Sequence, residues 1–330
     1  MLTRRRTLLG LAALPLGAWA PACSQSDRRP TPAASSNTDH LPAATSSADA
    51  AKVRWAGLLA AREKLRPLHT RAGKPQPGEW RYEHTETGQT FEEYVRGRPT
   101  VPTADRRAIV VQPIGPFDEA QHKVLELTTD YMSRYFGLPT RREEALPLTL
   151  IPASAKRVHP TWGDKQVLSQ WVLDEMLPSR LPKDAAALIA FTTSDLWPGK
   201  GWNFVFGQAD LRARVGLWSV YRYGDPSKGD AAFKLTLRRA LKVAVHETGH
   251  MFSLEHCTAY RCVQAGINSL EEEDRAPLWA CPECATKIVW ATSADHLPRY
   301  EKLRAFCETA GLQEEAAFFA KSLDVLRTDP

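Results

Sequence analysis

The sequence of 330 residues has little of what marks several specialised classes of protein. Six cysteines are too few for a disulfide scaffold of this length. The net charge is only +5, from 43 basic and 38 acidic residues, and consecutive arginines occupy positions 4–6. This balance gives no indication of a nucleic-acid-binding surface. The composition, with 43% hydrophobic and 25% charged residues, excludes a fibrous or wholly disordered chain and predicts a globular fold.

Residues 1–22 have the pattern of an export signal: a basic start, an apolar run from Leu8 to Ala20, and small residues before Cys23. The run is too short to span a bilayer well, so an uncleaved anchor is the weaker alternative. The arginines resemble a twin-arginine signal, which exports folded proteins. Cys23 resembles a lipoprotein attachment site, with ordinary cleavage after Ala22 as the alternative. We therefore expect a periplasmic or extracellular protein, with Cys23 as a candidate lipid anchor and its only contact with a membrane.

The rest of the chain divides into three segments by composition. Residues 23–50 are rich in Ser, Thr, Ala and Pro and predict a flexible tether. Residues 51–105 predict a helical and irregular extension, which starts with a helix from Lys52 to Leu65. Residues 106–330 predict a layered α/β domain, because strand patterns alternate with helix patterns. The predicted strands are 108–112, 148–151, 188–192, 203–206 and 215–221, and the predicted helices are 118–136 and 166–176.

The densest chemical signal lies in residues 246–257, His-Glu-Thr-Gly-His-Met-Phe-Ser-Leu-Glu-His-Cys. The periodic stretch before it predicts a helix, on which His246 and His250 share one face one turn apart, as a common metal ion requires. His256 follows beyond the helix end and can return as a third ligand. Three protein ligands leave zinc a position for water, and Glu247 can accept a proton from that water.

Four cysteines follow at metal-ligand spacing. Cys257 and Cys262 form one close pair, and Cys281 and Cys284 form a second, separated from the first by a loop. Two such pairs are typical of a closed, tetrahedral zinc–thiolate site. Two disulfides are the alternative, which an oxidising compartment favours. Zinc is the preferred interpretation, because a chain exported in its folded state can bind the metal beforehand.

These histidines and cysteines, in this order and spacing, resemble the archaemetzincins, a branch of the metzincin metallopeptidases. Similar segments are found at 195–197, 202–209 and 268–272, and weaker ones reach back to residue 78. The resemblance implies a single metzincin-type α/β domain with a twisted mixed sheet, an active-site helix and a small zinc module built on four cysteines. It implies a zinc-dependent metallopeptidase that acts on peptides or proteins. It also implies two Zn²⁺ ions, with Glu247 as general base, a catalytic ion on His246, His250 and His256, and a structural ion on Cys257, Cys262, Cys281 and Cys284.

Two positions depart from the family pattern. Ser253 replaces a glycine where the chain leaves the helix, and a left-handed backbone there costs a serine roughly 1 kcal/mol. Gln264 replaces the methionine beneath the metal, and no methionine follows Met251. We expect Gln264 to lie beneath the metal with its amide hydrogen-bonded. The alternative functions are a zinc-stabilised binding lipoprotein without turnover and a disulfide-bonded structural lipoprotein, and the intact Glu247 argues against the first of these.

Overall fold

The computed structural model of the chain describes residues 47–328. The predicted export signal, Cys23 and most of the predicted tether lie outside the described residues. Helix α1, Ser47–Leu65, begins inside the segment predicted as a tether. Within the described part of the chain, no helix combines the length and apolar character needed to cross a membrane.

The main sheet is mixed and has five strands, which are β1 Ala108–Ile114, β2 Thr140–Arg142, β5 Ala185–Thr192, β7 Gly207–Asp210 and β8 Val215–Ser219. Their order across the sheet is β2-β1-β5-β8-β7. Four strands run parallel, and β7 pairs antiparallel with β8 and forms one edge. Every residue of β1 and β5 is buried, as expected for central parallel strands rich in Val, Ile and Ala.

A smaller sheet contains β3 Lys156–Val158, β4 Lys165–Leu168 and β6 Asp195–Trp197. Its order is β3-β4-β6. The predicted helix at 166–176 is wrong at its start, because buried Gln166 and Val167 pair with strands on both sides. After β4 comes a short turn of helix, α5 Ser169–Trp171, and then a π-helical turn from Val172 to Met176.

Two other predicted strands are wrong. Residues 148–150 form a 3₁₀ turn between Pro147 and Pro152, and proline restricts the backbone and supplies no N–H for a strand ladder. Residues 203–206 form a single bridge at Val205, and the strand β7 begins directly after them. The predicted strands at 108–112 and 188–192 are confirmed within β1 and β5. The strand predicted at 215–221 is confirmed as β8 up to Ser219, and Tyr221 begins a 3₁₀ turn.

The helices that pack around the sheets include α4, Glu119–Phe136, which forms as predicted. Asp118 caps its N-terminus reciprocally with Gln121, and Gly137 ends it at φ 63°. The helices besides α1 and α5 are α2 Trp80–Glu83, α3 Phe91–Arg96, α4 Glu119–Phe136, α6 Asp230–Met251, α7 Leu270–Arg275, α8 Pro282–Thr292, α9 His296–Thr309 and α10 Gln313–Arg327.

Strand alternation divides the core between the two faces of the main sheet. Ile109, Val111 and Ile189 face helices α4 and α6. Val110 and Leu188 face the opposite way, toward the segment from 151 to 177. Helix α6 therefore lies against one face of the sheet, with the histidine motif in its last turns.

Candidate metal centre and active site

The three histidines predicted from the motif converge on one point. His246 and His250 lie one turn apart in the last turns of α6, and His256 returns to them from the following loop. Each of the three is 5% exposed. One nitrogen of each ring lies within 4.8 Å of one nitrogen of each of the others, and the Nε2 atoms of His246 and His250 are 3.0 Å apart.

Hydrogen bonds at Nδ1 fix which ring nitrogen faces the centre. Nδ1 of His246 donates to the carbonyl of Val263 at 2.8 Å, and Nδ1 of His250 donates to the carbonyl of Leu254 at 2.6 Å. A carbonyl oxygen can only accept, so Nε2 of each neutral ring carries a lone pair. Two lone pairs therefore face each other at 3.0 Å, an arrangement that a bound cation relieves. The donor set and its orientation fit zinc.

Burial keeps the imidazoles of His246 and His250 neutral, the form in which they can bind a metal. Burial lowers the pKa of His246 to about 3, with the nearby His256 acting in the same direction. Burial also lowers the pKa of His250 well below its ordinary value, and His246 and His256 add to that effect. Nε2 of His256 is itself buried and has no hydrogen-bond partner among the described residues. That atom is a further position at which a metal ion would replace a missing partner.

The turn that brings His256 back depends on Ser253. Its φ is 64°, the left-handed conformation that glycine adopts most readily. Its hydroxyl accepts a hydrogen bond from the amide of Thr100 at 3.0 Å. The phenol of Tyr94 donates to the carbonyl of Phe252 at 2.7 Å, which holds the same turn. Serine thus adopts the left-handed backbone expected where the family pattern has glycine.

Gln264 lies beneath the histidines, as expected from the family pattern. It is 1% exposed, and its Nε2 donates to the carbonyl of His246 at 3.0 Å. Its Oε1 is buried without a hydrogen-bond partner in the described part of the chain. A Cβ on Gly249 would lie 2.3 Å from that oxygen, so the glycine within the motif leaves the space that Gln264 fills.

Glu247 is a buried carboxyl beside the histidines. It is 5% exposed, and no described residue hydrogen-bonds its Oε1. Burial raises its pKa to about 8, and Trp218 is near enough to oppose part of that rise. It lines a largely apolar cavity together with Phe206, Tyr223 and His246. The carboxyl is therefore buried in largely apolar surroundings, with one oxygen atom that no described residue hydrogen-bonds.

The four predicted cysteines form a second cluster. All are buried, and the Sγ atom of each lies within 4.8 Å of the others. Sγ of Cys257 and Sγ of Cys281 are 3.6 Å apart, and no disulfide joins any of the four cysteines. Backbone amides of Cys281 and Gln264 donate to Sγ of Cys262 at 3.2 and 3.4 Å. The sulfur atoms thus form one group, with amide donors that favour thiolates, rather than two disulfide pairs.

The charges of this cluster also fit a cation. Hydrogen bonds from the other three thiols lower the pKa of Cys257 well below its ordinary value. Burial and the neighbouring sulfurs raise the pKa of Cys281, and the neighbouring sulfurs and burial raise the pKa of Cys284. Several thiolates can therefore coexist here only with positive charge among them, which a zinc ion provides.

Sequence reasoning missed one carboxylate at the histidine centre. Oε1 of Glu86 accepts a hydrogen bond from Nδ1 of His256 at 2.8 Å. Glu86 precedes His256 by 170 residues and lies in no metal-binding motif. No local signal in the sequence could have placed it there.

Comparisons with known proteins agree with these features. A family model described as Peptidase family M54 matches residues 169–289, which include the three clustered histidines, the four clustered cysteines and Glu247. Archaemetzincin-2 from Macaca fascicularis is 32% identical over 259 residues, covering 69% of this chain and 71% of the relative. The human archaemetzincin-2 matches to the same extent. The chain belongs to the archaemetzincin family.

Archaeal archaemetzincins match a shorter part of the chain. The protein from Thermococcus kodakarensis is 32% identical over 189 residues, covering 56% of this chain and 96% of the relative. The crystal structure of archaemetzincin from Methanopyrus kandleri is 25% identical with a TM-score of 0.45, covering 58% of this chain and 99% of that chain. As an archaemetzincin, the chain is a zinc metallopeptidase, a hydrolase that acts on peptides or proteins.

Proposed function

We propose that the chain hydrolyses peptide bonds at the histidine centre, with His246, His250 and His256 as zinc ligands and Glu247 as general base. The observation that carries this proposal is the convergence of three inward-facing imidazole nitrogens beside a buried carboxyl with a free oxygen. Zinc bound there supplies Lewis acidity, which polarises a carbonyl and lowers the pKa of water toward neutrality.

Glu247 has two tasks in this proposal. A zinc ion bound by the three histidines would lower the pKa of Glu247 and favour its carboxylate form, against the effect of burial. Its Oε1 then accepts a proton from the attacking water and delivers it to the nitrogen of the leaving amine. The C–N bond breaks, a C–O bond forms, and the proton balance closes on the two products. The apolar wall formed by Phe206 and Tyr223 limits access of bulk water to the carboxyl.

The substrate backbone is proposed to bind along the edge of β7 that does not pair with β8. The segment 203–206, which the sequence predicts as a strand, is instead tied to the smaller sheet. The amide of Val205 donates to Leu196, and the carbonyl of Asn203 accepts from Arg157 and Gln166. Strand β7 starts at the next residue after Phe206 and pairs on one side only within the described residues. A peptide added there would pair through its backbone close to Glu247.

Replacing Glu247 with glutamine tests the catalytic proposal. Because Glu247→Gln removes the proton acceptor and keeps the size of the side chain, we expect peptide turnover to fall by about 10² to 10⁴-fold with zinc content unchanged. Cleavage is followed on a mixture of internally quenched peptides. The matched control is Glu255→Gln, a change at an exposed residue of the same motif that retains wild-type turnover. A zinc-loaded wild-type protein without turnover would instead support the non-catalytic binding protein.

We also propose that each chain binds two zinc ions. The histidine centre offers three ligands and exchanges its metal, whereas four buried thiolates enclose theirs. A mild chelator is expected to remove one zinc per chain rapidly and the other only on unfolding. A stoichiometry near one, with the four cysteines oxidised in a thiol titration, would contradict the second site.

We further propose that the protein is exported and anchored by a lipid on Cys23. The supporting observation is the sequence of residues 1–23 alone. Fractionation of cells that express the full chain tests it. The wild type is expected in the membrane fraction and Cys23→Ser in the soluble exported fraction, whereas a Cys23→Ser protein that stays with the membrane would contradict lipidation.

A further inference from the structure

The side chain of Glu86 occupies the outer side of the third histidine. Its Oε1 lies 2.8 Å from Nδ1 of His256, on the edge of the ring opposite to Nε2. The corresponding nitrogens of His246 and His250 donate to backbone carbonyls, so His256 alone has a charged acceptor. The side chain of His256 is 3% exposed and that of Glu86 is 28% exposed. The pair is therefore partly shielded from solvent, which strengthens a charge-assisted hydrogen bond.

The segment that carries Glu86 is held over the centre by contacts at both of its ends. At one end, the indole of Trp80 lies 5.0 Å from the ring of His256, centroid to centroid, with the rings edge to face. The same indole packs on Gly266, where a Cβ would lie 2.2 Å from its Cδ1. The backbone amide of Trp80 donates to the carboxylate of Glu272 at 3.2 Å. These contacts fix the position of Trp80 and of the chain at this end of the segment.

At the other end, Gln89 connects the segment to two further elements. The ammonium group of Lys287 on α8 donates to the backbone carbonyl of Gln89 and, at 3.1 Å, to its Oε1. Nε2 of Gln89 reaches the carbonyl of Ser253 at 3.5 Å, in the turn that returns His256. The segment from Trp80 to Gln89 thus spans the return loop and positions the carboxylate between its two fixed ends.

Fixing His256 matters because it is the ligand with the least support from secondary structure. His246 and His250 belong to one helix, whereas His256 follows a left-handed turn at Ser253. A carboxylate on Nδ1 orients the ring, selects the tautomer with a free Nε2, and increases the basicity of that nitrogen toward a cation. A backbone carbonyl also orients the ring and selects the tautomer, but because it carries no net charge it increases the basicity of Nε2 less.

We propose that Glu86 is a positioning residue for the histidine centre, which holds the ring of His256 toward the metal and strengthens its bond to zinc. This inference rests on the proposed function, in which His256 is a zinc ligand. It assigns to the N-terminal extension, outside the residues 169–289 that the family model matches, a direct part in building the metal site.

Zinc affinity of the full chain tests this proposal without reference to turnover. The exchangeable zinc is removed with a mild chelator, and Zn²⁺ is titrated back against a chromophoric competitor. Glu86→Ala is expected to weaken binding at the histidine centre by about 10 to 100-fold, since the ring loses its orienting partner. Glu86→Gln can still accept from Nδ1 but carries no charge, so its affinity should lie between those of Glu86→Ala and the wild type.

Two readouts separate positioning from a merely structural role. The absorption spectrum of Co²⁺ at the histidine centre is expected to change in Glu86→Ala and to recover in part in Glu86→Gln. The melting temperature of the metal-depleted protein should stay within about 2 °C of the wild type, because the anchors at Trp80 and Gln89 remain. The matched control is Glu83→Gln, an exposed carboxylate of the same segment that leaves zinc affinity unchanged.

Failure of zinc binding at the histidine centre and failure of the role of Glu86 give different results. If the wild type takes up no zinc beyond that of the thiol cluster, the proposed function is wrong and this inference with it. If the wild type binds the second zinc and Glu86→Ala binds it with the same affinity and cobalt spectrum, only the role of Glu86 is wrong. If Glu86→Ala lowers the melting temperature and leaves the zinc affinity unchanged, the role of Glu86 is also wrong, and its contact with His256 is only structural.

Discussion

The side-chain amide of Gln264 donates to the carbonyl of His246 at 3.0 Å, so the residue beneath the metal centre is joined to the helix that carries two of its ligands. A methionine, the residue that the resemblance to the family leads one to expect here, would pack without hydrogen bonds. Gln264 has a similar length but brings a carbonyl oxygen that is buried without a partner among the described residues. The position therefore exchanges apolar packing for one hydrogen bond and one unsatisfied acceptor.

Replacing Gln264 with methionine is expected to stabilise the protein. The change loses one hydrogen bond, a net contribution of about 1 kcal/mol, and removes an unpartnered buried oxygen that costs about 1–3 kcal/mol. We expect the free energy of unfolding to rise by about 1 kcal/mol, measured by thermal unfolding at matched zinc concentration. The control Gln264→Ala opens a cavity and should lower it by about 2 kcal/mol. A methionine variant less stable than the wild type would show that the hydrogen bond outweighs the buried oxygen.

Variants of Ser253 test whether the turn is strained. Ser253→Ala keeps the left-handed backbone at φ 64° and loses the hydrogen bond from Thr100, so we expect a loss of about 1 kcal/mol in stability. Ser253→Gly loses the same bond and relieves the strain, and should stay within about 0.5 kcal/mol of the wild type. The measurement is chemical denaturation of the zinc-loaded proteins. Equal stability of the two variants would mean that the backbone at this position carries no strain.

The stability of the fold is expected to fall in acid partly because of His296. This residue begins α9, is 6% exposed, and has both ring nitrogens buried without hydrogen bonds in the described part of the chain. Burial first, and then the charges of Arg299 and Arg54, lower its pKa to about 3. In the unfolded chain His296 takes up a proton near pH 6.5, whereas in the folded chain it stays neutral until the pH approaches 3. The free energy of unfolding is therefore undiminished above pH 6.5 and falls as the pH decreases toward 3.

The size of this effect follows from the two pKa values. Between about pH 7.5 and about pH 5.0, His296 should account for about 2 kcal/mol of lost stability, which His296→Phe abolishes. The measurement is the difference in unfolding free energy between the two pH values for each protein. His122→Phe, at an exposed histidine, is the matched control and should lose as much as the wild type. A His296→Phe protein with the acid sensitivity of the wild type would refute the assignment.

Structural features that depend on residues close together in the sequence could be predicted from local patterns. The capping pair Asp118 and Gln121 predicted the start of α4, and the four-residue spacing of His246 and His250 predicted their shared helix face. The pairing of Gln166 and Val167 with two strands has no local signature, since it depends on residues up to 29 positions away. The sequence therefore predicts a helix from residue 166, where the structure has strand β4.

Contacts between residues far apart in the sequence could not be predicted from local patterns. Glu86 reaches His256 across 170 residues, and Trp80 packs on Gly266 from the same distant segment. Neither contact belongs to a motif, and each exists only because the extension crosses the return loop. By contrast, the left-handed turn at Ser253 and the place of Gln264 followed from the family pattern around the metal ligands, which leaves the chain few alternatives.

The central claim is that three histidines hold a zinc ion beside Glu247. Anomalous diffraction from crystals of the full chain, recorded on both sides of the zinc absorption edge, tests it most directly. We predict one peak at about 2.0–2.1 Å from Nε2 of His246, His250 and His256, and a second among the four sulfur atoms at about 2.3 Å. A map without a peak among the histidines, or with His256 turned away from the other two, would contradict the account.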